Sequence, residues 1–169
     1  MKHLKNLLLT TAIILACSFS AQAQSKVAHI NTQELVESMP EMKSAKSELE
    51  KLAKTYETDI QAMATELQNK IKQYDAESST KTDEENAKRL QEVQSMEQSI
   101  RQYQAQAQQD LQKKELDLLR PITEKAKGAI LKVGNAQGFD YILDSSQGQG
   151  VIMANGKDLL FDVKSELGF

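Results

Sequence analysis

Apolar side chains recur every three or four positions through residues 41–133, which is the spacing of a helix with one apolar stripe. Over the first half of this stretch the mean step is about 3.56 residues, between the coiled-coil repeat of 3.5 and the 3.6 of a straight helix. The stretch has no glycine before Gly128 and a single proline, Pro121. These features predict long helices whose apolar stripes face one another.

Capping residues divide this stretch into two helices joined by a short turn. A capping box at residues 38–41, with proline in the first turn, predicts the start of the first helix. Residues 78–80 lack helix-favouring side chains, and Thr82 is a capping residue for the return helix. Because the connection is short, the helices must lie antiparallel. The sequence therefore predicts a helical hairpin arm over residues 41–133, with its tip near residues 78–82.

Three residues near the base of the arm shape the end of the return helix. Pro121 removes a backbone donor inside the helix, so a bend is predicted there. Gly134 and Gly138 are the candidates for a left-handed residue that ends the helix. The arm is thus expected to return into a separate body.

Short apolar runs outside the arm predict three strands, at residues 26–31, 139–144 and 151–154. Asn31 is expected to cap a short helix, and Asp158 a last helix that Gly168 stops. A hairpin at Asn155-Gly156 is the alternative to that last helix, but two-residue alternation fails at Leu159-Leu160. The predicted fold is mainly α with a small three-stranded α/β base, formed by residues 24–40 and 134–169.

The base has about fifty residues, which is too few to bury much apolar surface alone. Its three short strands also leave open edges. Both features predict that several chains associate through their bases. The arms would then project side by side.

The first 23 residues have the pattern of a cleaved signal peptide: two lysines, a short apolar run and an Ala21-x-Ala23 site. The run is too short to span a bilayer. Lipid attachment at Cys17 is the alternative, although Leu15 fits that motif poorly. Cleavage after Ala23 predicts an exported, periplasmic protein that contains no cysteine.

The net charge and the remaining polar residues argue against nucleic-acid binding, catalysis and a metal site. Removing Lys2 and Lys5 from 21 basic residues leaves 19 against 24 acidic ones, so nucleic acid is not an expected partner. His29 has no candidate nucleophile beside it, which argues against catalysis. Asp140 and Asp144 share a strand face and could bind a cation, but turn hydrogen bonds are commoner for such acids. No cofactor or metal site is predicted.

Four features follow one another along the chain: Lys26-Val27-Ala28-His29-Ile30-Asn31 after a signal peptide, the long charged hairpin, Gly138-Phe139-Asp140-Tyr141-Ile142-Leu143-Asp144, and Asp158-Leu159 with Val163. In this order they resemble the Skp/OmpH family of periplasmic chaperones. The resemblance implies a homotrimer with an intersubunit β-barrel and helical tentacles. It also implies an ATP-independent holdase that keeps unfolded outer-membrane proteins between its arms and delivers them to the membrane assembly machinery. The acidic charge departs from basic family members and makes contact with lipopolysaccharide or anionic lipid doubtful.

This interpretation assigns two sets of residues and excludes an enzyme. The residues expected to carry assembly are Val27, Ile30, Tyr141, Ile142, Leu143, Val151 and Ile152. The arm-surface residues expected to contact clients are small or flexible side chains beside the helix seam: Ala53, Met63, Ala64, Met96, Ala105 and Ala107. The alternative function is that of a structural coiled-coil protein acting as a spacer or tether in the envelope, which lipidation at Cys17 would favour.

Overall fold

A computed structural model describes residues 25–169, so the signal peptide and Cys17 lie outside the described residues. Two helices form the arm, and three strands with two short helices form the base. In chain order the elements are β1 (Val27–Ile30), α1 (Thr32–Ser38), α2 (Pro40–Glu77), a 3₁₀ turn (Ser78–Thr80), α3 (Asp83–Ala136), β2 (Tyr141–Asp144), β3 (Lys157–Asp158) and α4 (Leu160–Leu167).

The predicted hairpin is confirmed, and most of its caps are where the sequence placed them. The 38 residues of α2 give a rod of about 57 Å at 1.5 Å per residue. Thr82 accepts a hydrogen bond from the Glu85 amide at 3.2 Å and so caps α3. The prediction that Ser38 caps α2 is wrong, because its hydroxyl donates to the Leu35 carbonyl at 2.7 Å and thus closes α1.

Helix α3 is 54 residues long and passes through Pro121 without interruption, so it belongs to both arm and base. The bend at Pro121 stays a prediction. Gly138 follows the end of the helix in the left-handed region, at φ +69°. Gly134 does not end the helix as predicted. It is buried, and a Cβ built on it would lie 2.3 Å from Ile142 Cδ1, so a larger residue there would force the Ile142 side chain of β2 to move away from the helix.

The sheet has the order β2-β1-β3, and both pairings are parallel. Val27 lies opposite Tyr141, and Ala28 pairs with Ile142 on one side and Lys157 on the other. The third strand predicted at residues 151–154 is wrong. Those residues are irregular and follow two glycines with positive φ, and the second edge of β1 is taken by Lys157 and Asp158 instead.

The apolar core lies in the base, between the sheet and three helices. Five of its large side chains are less than 2% exposed. Ile30 lies in β1, Leu35 in α1 and Val163 in α4. Met39 directly follows α1, and Leu159 directly precedes α4. The last turns of α3 close this core with Ile122, Ala126, Ala129 and Val133. The predicted last helix is confirmed, and Gly168 ends α4 in the left-handed region. The N-cap residue is Leu159 and not Asp158 as predicted, although Asp158 Oδ1 accepts from the Leu160 amide at 2.8 Å.

Candidate functional site: the arm and the open sheet face

Two tyrosines link the helices in the middle of the arm. Tyr56 Oη donates to Asp110 at 2.9 Å, and Tyr103 Oη donates to Asp59 at 2.7 Å in the opposite direction across the hairpin. Their rings meet edge to face with centroids 5.7 Å apart. This layer of the arm is therefore held by reciprocal polar contacts as much as by apolar packing.

The carboxylates that accept these hydrogen bonds keep the phenols protonated. The hydrogen bond to Asp59 raises the pKa of Tyr103 to about 12, and desolvation and the Asp59 charge act in the same direction. The hydrogen bond to Asp110 likewise raises the pKa of Tyr56. Both phenols therefore remain donors throughout the physiological pH range.

A second polar layer lies towards the tip. Glu92 accepts from both Lys70 and Tyr74, and these two contacts, in that order, lower its pKa. The Arg89 guanidinium lies 4.5 Å from the centre of the Tyr74 ring and donates to Glu77 at 2.6 Å. The tip is thus closed by a network of paired charges and has no strong field of one sign.

The cross-hairpin pairs keep one register along the whole arm. In Glu41–Lys125, Tyr56–Asp110 and Glu77–Arg89 the residue numbers of the two partners add to the same total. The pairs Glu48–Lys114, Asp59–Tyr103 and Lys70–Glu92 share a second total, which differs by one helical turn. Polar side chains therefore set the alignment of α2 with α3 from base to tip.

Met63 and Met96 are brought together by this alignment. Both are half-buried and line one groove between the helices, with Ile100, Ser95 and Ser99. The groove has a volume of about 380 Å³, and the Lys70–Glu92 ion pair forms part of its lining. Flexible thioethers above a half-buried seam form a surface that can contact apolar side chains of different shapes.

The other predicted client-contact residues fall into two environments. Ala53, Ala64 and Ala105 are exposed on the arm. Ala107 is only 4% exposed, because it lies on the seam side of α3 one turn from Tyr103. Its assignment to the client-contact surface is therefore corrected: it packs inside the arm.

The strand residues that were predicted to carry assembly lie on two opposite faces of the sheet. Val27, Tyr141 and Leu143 are 43%, 60% and 46% exposed, and their register places them on the same face. In the loop before β3, Ile152 is fully exposed and Val151 half-buried. The open sheet face, defined as Val27, Tyr141 and Leu143, is thus not covered by any other part of residues 25–169, and His29 lies on the same face beside these large side chains.

Ile30 and Ile142 face the opposite way. Ile30 is 1% exposed in the core, and Ile142 is half-buried against Gly134. Their assignment to subunit contacts is corrected, since alternation along the strands turns them towards α3 of their own chain.

Asp144 makes the turn hydrogen bond that the sequence predicts, whereas Asp140 accepts from a residue distant in sequence. Asp140 accepts from the Lys26 amide at 2.7 Å. Asp144 accepts from Thr32 Oγ1 at 2.6 Å and from the amide and hydroxyl of Ser146. Burial would raise the pKa of Asp144, but these hydrogen bonds outweigh it and lower the pKa. The two acids fasten β2 to the start of β1 and of α1.

His29 is a half-buried strand residue whose Nδ1 lies 3.2 Å from Ser145 Oγ. Within residues 25–169, His, Cys, Asp and Glu side chains form no cluster of three or more with metal-binding geometry. The same residues include no helix that is both long and apolar enough to cross a membrane.

The polar partners of the seam are the functional residues that periodicity did not reveal. Asp59, Asp110 and Glu92 look like ordinary solvated acids in the sequence. The tyrosines of the seam are the feature of the sequence that points to these acceptors. A tyrosine that packs against a facing helix needs an acceptor for its hydroxyl.

Residues 26–167 match the family described as outer membrane protein (OmpH-like), and the chain belongs to that family. Among curated relatives, the chaperone protein Skp of Pectobacterium atrosepticum is 24% identical over 155 residues, covering 92% of this chain and 93% of its own. Skp of Photorhabdus laumondii is 28% identical over 134 residues, covering 79% and 81%.

Skp of Escherichia coli K12 is 26% identical over 143 residues, covering 85% of this chain and 87% of its own. A crystal structure of an OmpH-like chain from Caulobacter crescentus CB15 superposes with a TM-score of 0.77 at 20% identity, covering 87% and 86% of the two chains. The fold is therefore shared along nearly the whole described length of the chain.

Proposed function

We propose that this chain is a holdase chaperone of the periplasm, which binds unfolded outer-membrane proteins and prevents their aggregation without using ATP. Membership of the OmpH-like family and full-length similarity to proteins named Skp support the chaperone assignment. The observation in the structure that supports it best is the groove that brings Met63 and Met96 together on the arm.

Such a groove suits weak and adaptable binding. Apolar side chains of a client would contact the methionines, while the charged pairs along the seam stay satisfied. Many such contacts along several arms would retain a client by effective concentration, although each contact alone is weak. Release would then need only a membrane or assembly machinery that binds the client better.

Assembly as a homotrimer is the second part of the proposal. The open sheet face leaves three large apolar side chains in water, and Ile152 adds a fourth from the adjoining loop. Covering this surface with further copies of the base would place the arms side by side. The periplasmic location rests on the signal peptide pattern of residues 1–23.

An aggregation assay tests the function. A β-barrel protein diluted from urea should scatter light when alone and remain soluble with a stoichiometric amount of the purified protein. Met63→Ser combined with Met96→Ser should weaken protection, since both thioethers leave the groove. Ala62→Ser combined with Ala87→Ser, at exposed arm positions outside the expected client-contact residues, is the matched arm control and should protect as well as the wild type.

Two results would count against the proposal. If the wild-type protein does not reduce scattering, the chaperone function fails and the spacer or tether function takes its place. If the methionine and alanine variants protect equally, clients bind elsewhere on the arm. Light scattering at micromolar concentration tests assembly separately, because a monomeric mass excludes the trimer.

A further inference from the structure

Helix α3 has an uncharged outer surface that the seam and the groove do not use. Six of the nine glutamines of α3 lie on this surface, all of them exposed, and we define them as the glutamine face: Gln91, Gln94, Gln98, Gln102, Gln109 and Gln112. Exposed Ala105 lies on the same side, and Leu116, which is 63% exposed, continues it by one turn.

Helical geometry places this face on the side of α3 away from α2. At about 100° per residue, these glutamines lie roughly half a turn from the seam residues Ile100 and Ala107. No Asp, Glu, Lys or Arg shares that arc between Gln91 and Gln112. Exposed helix surfaces normally carry charges, and this arm carries them elsewhere, so six neutral amides in one row form a distinct surface.

The glutamine face is continuous with the methionine groove. Ser95 and Ser99 line the groove and lie between Met96 and the glutamine face around the helix. At the level of Met96 the path from the thioether to the amides therefore crosses these two hydroxyl groups, and the ion-paired Glu92 borders it one turn towards the tip. On the other flank, Gln104 and Gln108 lie beside Glu97 and Arg101 and have no such connection with the groove.

The chemistry of the glutamine face selects its occupant. A second helix would need apolar side chains at these positions for interlocking packing, and glutamines do not provide them. A charged folded surface would find no complementary charge. Each carboxamide offers two donors and one acceptor, which match the alternating N–H and C=O groups of an extended main chain. An unfolded polypeptide presents both those groups and the apolar side chains that the groove can accept.

We propose that the glutamine face binds the main chain of unfolded client polypeptide while the adjoining groove receives its apolar side chains. This inference rests on the proposed function and extends it, because it assigns client recognition to the peptide backbone, which every client shares. Selectivity for unfolded chains follows, since folded proteins have already paired most of their backbone groups.

Paired substitutions on one helix test the proposal. Gln94→Glu with Gln98→Glu puts two carboxylates on the glutamine face, and Gln104→Glu with Gln108→Glu puts two at the same spacing on the other flank. The full-length protein is titrated into a urea-unfolded β-barrel protein, and the dissociation constant is measured by fluorescence. We expect the first variant to bind on the order of tenfold more weakly, because carboxylates cannot donate to backbone carbonyls. The second should bind within about twofold of the wild type.

Gln94→Ala with Gln98→Ala separates hydrogen bonding from charge. Loss of two amides without a new charge should still weaken binding about fivefold. Equal weakening by both glutamate variants would mean that overall charge matters and would overturn the proposal. Wild-type affinity in the alanine variant would overturn it too. In either case an active wild-type protein would leave the chaperone function standing.

A photo-crosslinking residue gives a readout that does not depend on affinity. Placed at Gln98, it should form adducts with the unfolded client, whereas the same residue at Gln104 should form few. Adducts at Gln104 in equal yield would show that the client does not distinguish the two flanks.

Discussion

The base and the arm of this protein are held together in different ways. In the base, Ile30, Leu35, Met39, Leu159 and Val163 are all less than 2% exposed and belong to one apolar core. Between the base and the tip, the seam positions of the arm are mostly half-buried, and tyrosine–carboxylate and ion pairs cross it at intervals. The base therefore gains its stability from burial, and the arm from many small contacts spread over its length.

This difference suits a protein that assembles through one part and binds clients with the other. Burial in the base fixes the positions of the strands, and with them the open sheet face that would meet other copies. The arm buries little apolar area for each turn, so its local opening should cost less free energy than unfolding of the base. The arm can then adapt to different clients while the assembly stays intact.

The largest effect is expected from truncating a fully buried side chain in the base. Leu35→Ala should lower the free energy of unfolding by about 3 kcal/mol, because it leaves a cavity in the core. Leu67→Ala removes the same atoms from a half-buried seam position and should cost about 1 kcal/mol. Urea unfolding followed by circular dichroism, at fixed protein concentration, measures both. Equal losses would mean that the seam is packed as tightly as the core.

A smaller effect is expected from two glycines on α3. Gly128→Ala should be more stable than the wild type by up to about 1 kcal/mol, because nothing lies within 4 Å of its Cβ and alanine favours helix. Gly134→Ala makes the same gain in helix preference, but its Cβ would lie 2.3 Å from Ile142 Cδ1, so the isoleucine must move. We therefore expect Gly134→Ala to be less stable than Gly128→Ala by about 1–2 kcal/mol. Thermal unfolding decides, and equal stability of the two variants would contradict the close approach.

The sequence predicted the arm more accurately than the base, and the reason is physical. Helical periodicity and caps such as Thr82 depend on neighbours in sequence, so the bounds of α2 and α3 could be predicted closely. Strand positions depend on partners that are distant in sequence. Residues 151–154 are apolar enough for a strand, yet they form none in this chain, because β1 offers its second edge to Lys157 and Asp158. For the same reason Ile30 was misassigned, since alternation does not say which sheet face meets α3.

The candidate site could be predicted only in part for the same reason, because its contacts join residues that are distant in sequence. The spacing of Met63 and Met96 placed both beside the seam, but only the hairpin register puts them in one groove. The acceptors Asp59 and Asp110 could not be assigned for the same reason. A sequence predicts which residues lie on one helix face, whereas the partner across the hairpin depends on the length and geometry of the turn.

The smallest effect is expected from removing the hydrogen bond that Tyr103 donates to Asp59. It tests whether polar contacts hold the middle of the arm together. The folded protein raises the pKa of Tyr103 from 10.0 to about 12, chiefly through the hydrogen bond to Asp59. The stabilisation is therefore fully present below pH 10 and is lost as the pH rises through 12, where a phenolate would face a carboxylate. The near-ultraviolet absorbance of phenolate should show a late titration step, to which Tyr56 also contributes because its hydrogen bond to Asp110 raises its pKa. Tyr103→Phe should therefore reduce the amplitude of that step. Helicity should fall over the same pH range in the wild type and less in Tyr103→Phe, because the variant has no Tyr103 donor to lose. A late step of unchanged amplitude in Tyr103→Phe would show that this contact does not control the phenol, and the mid-arm layer would then be held mainly by its apolar side chains.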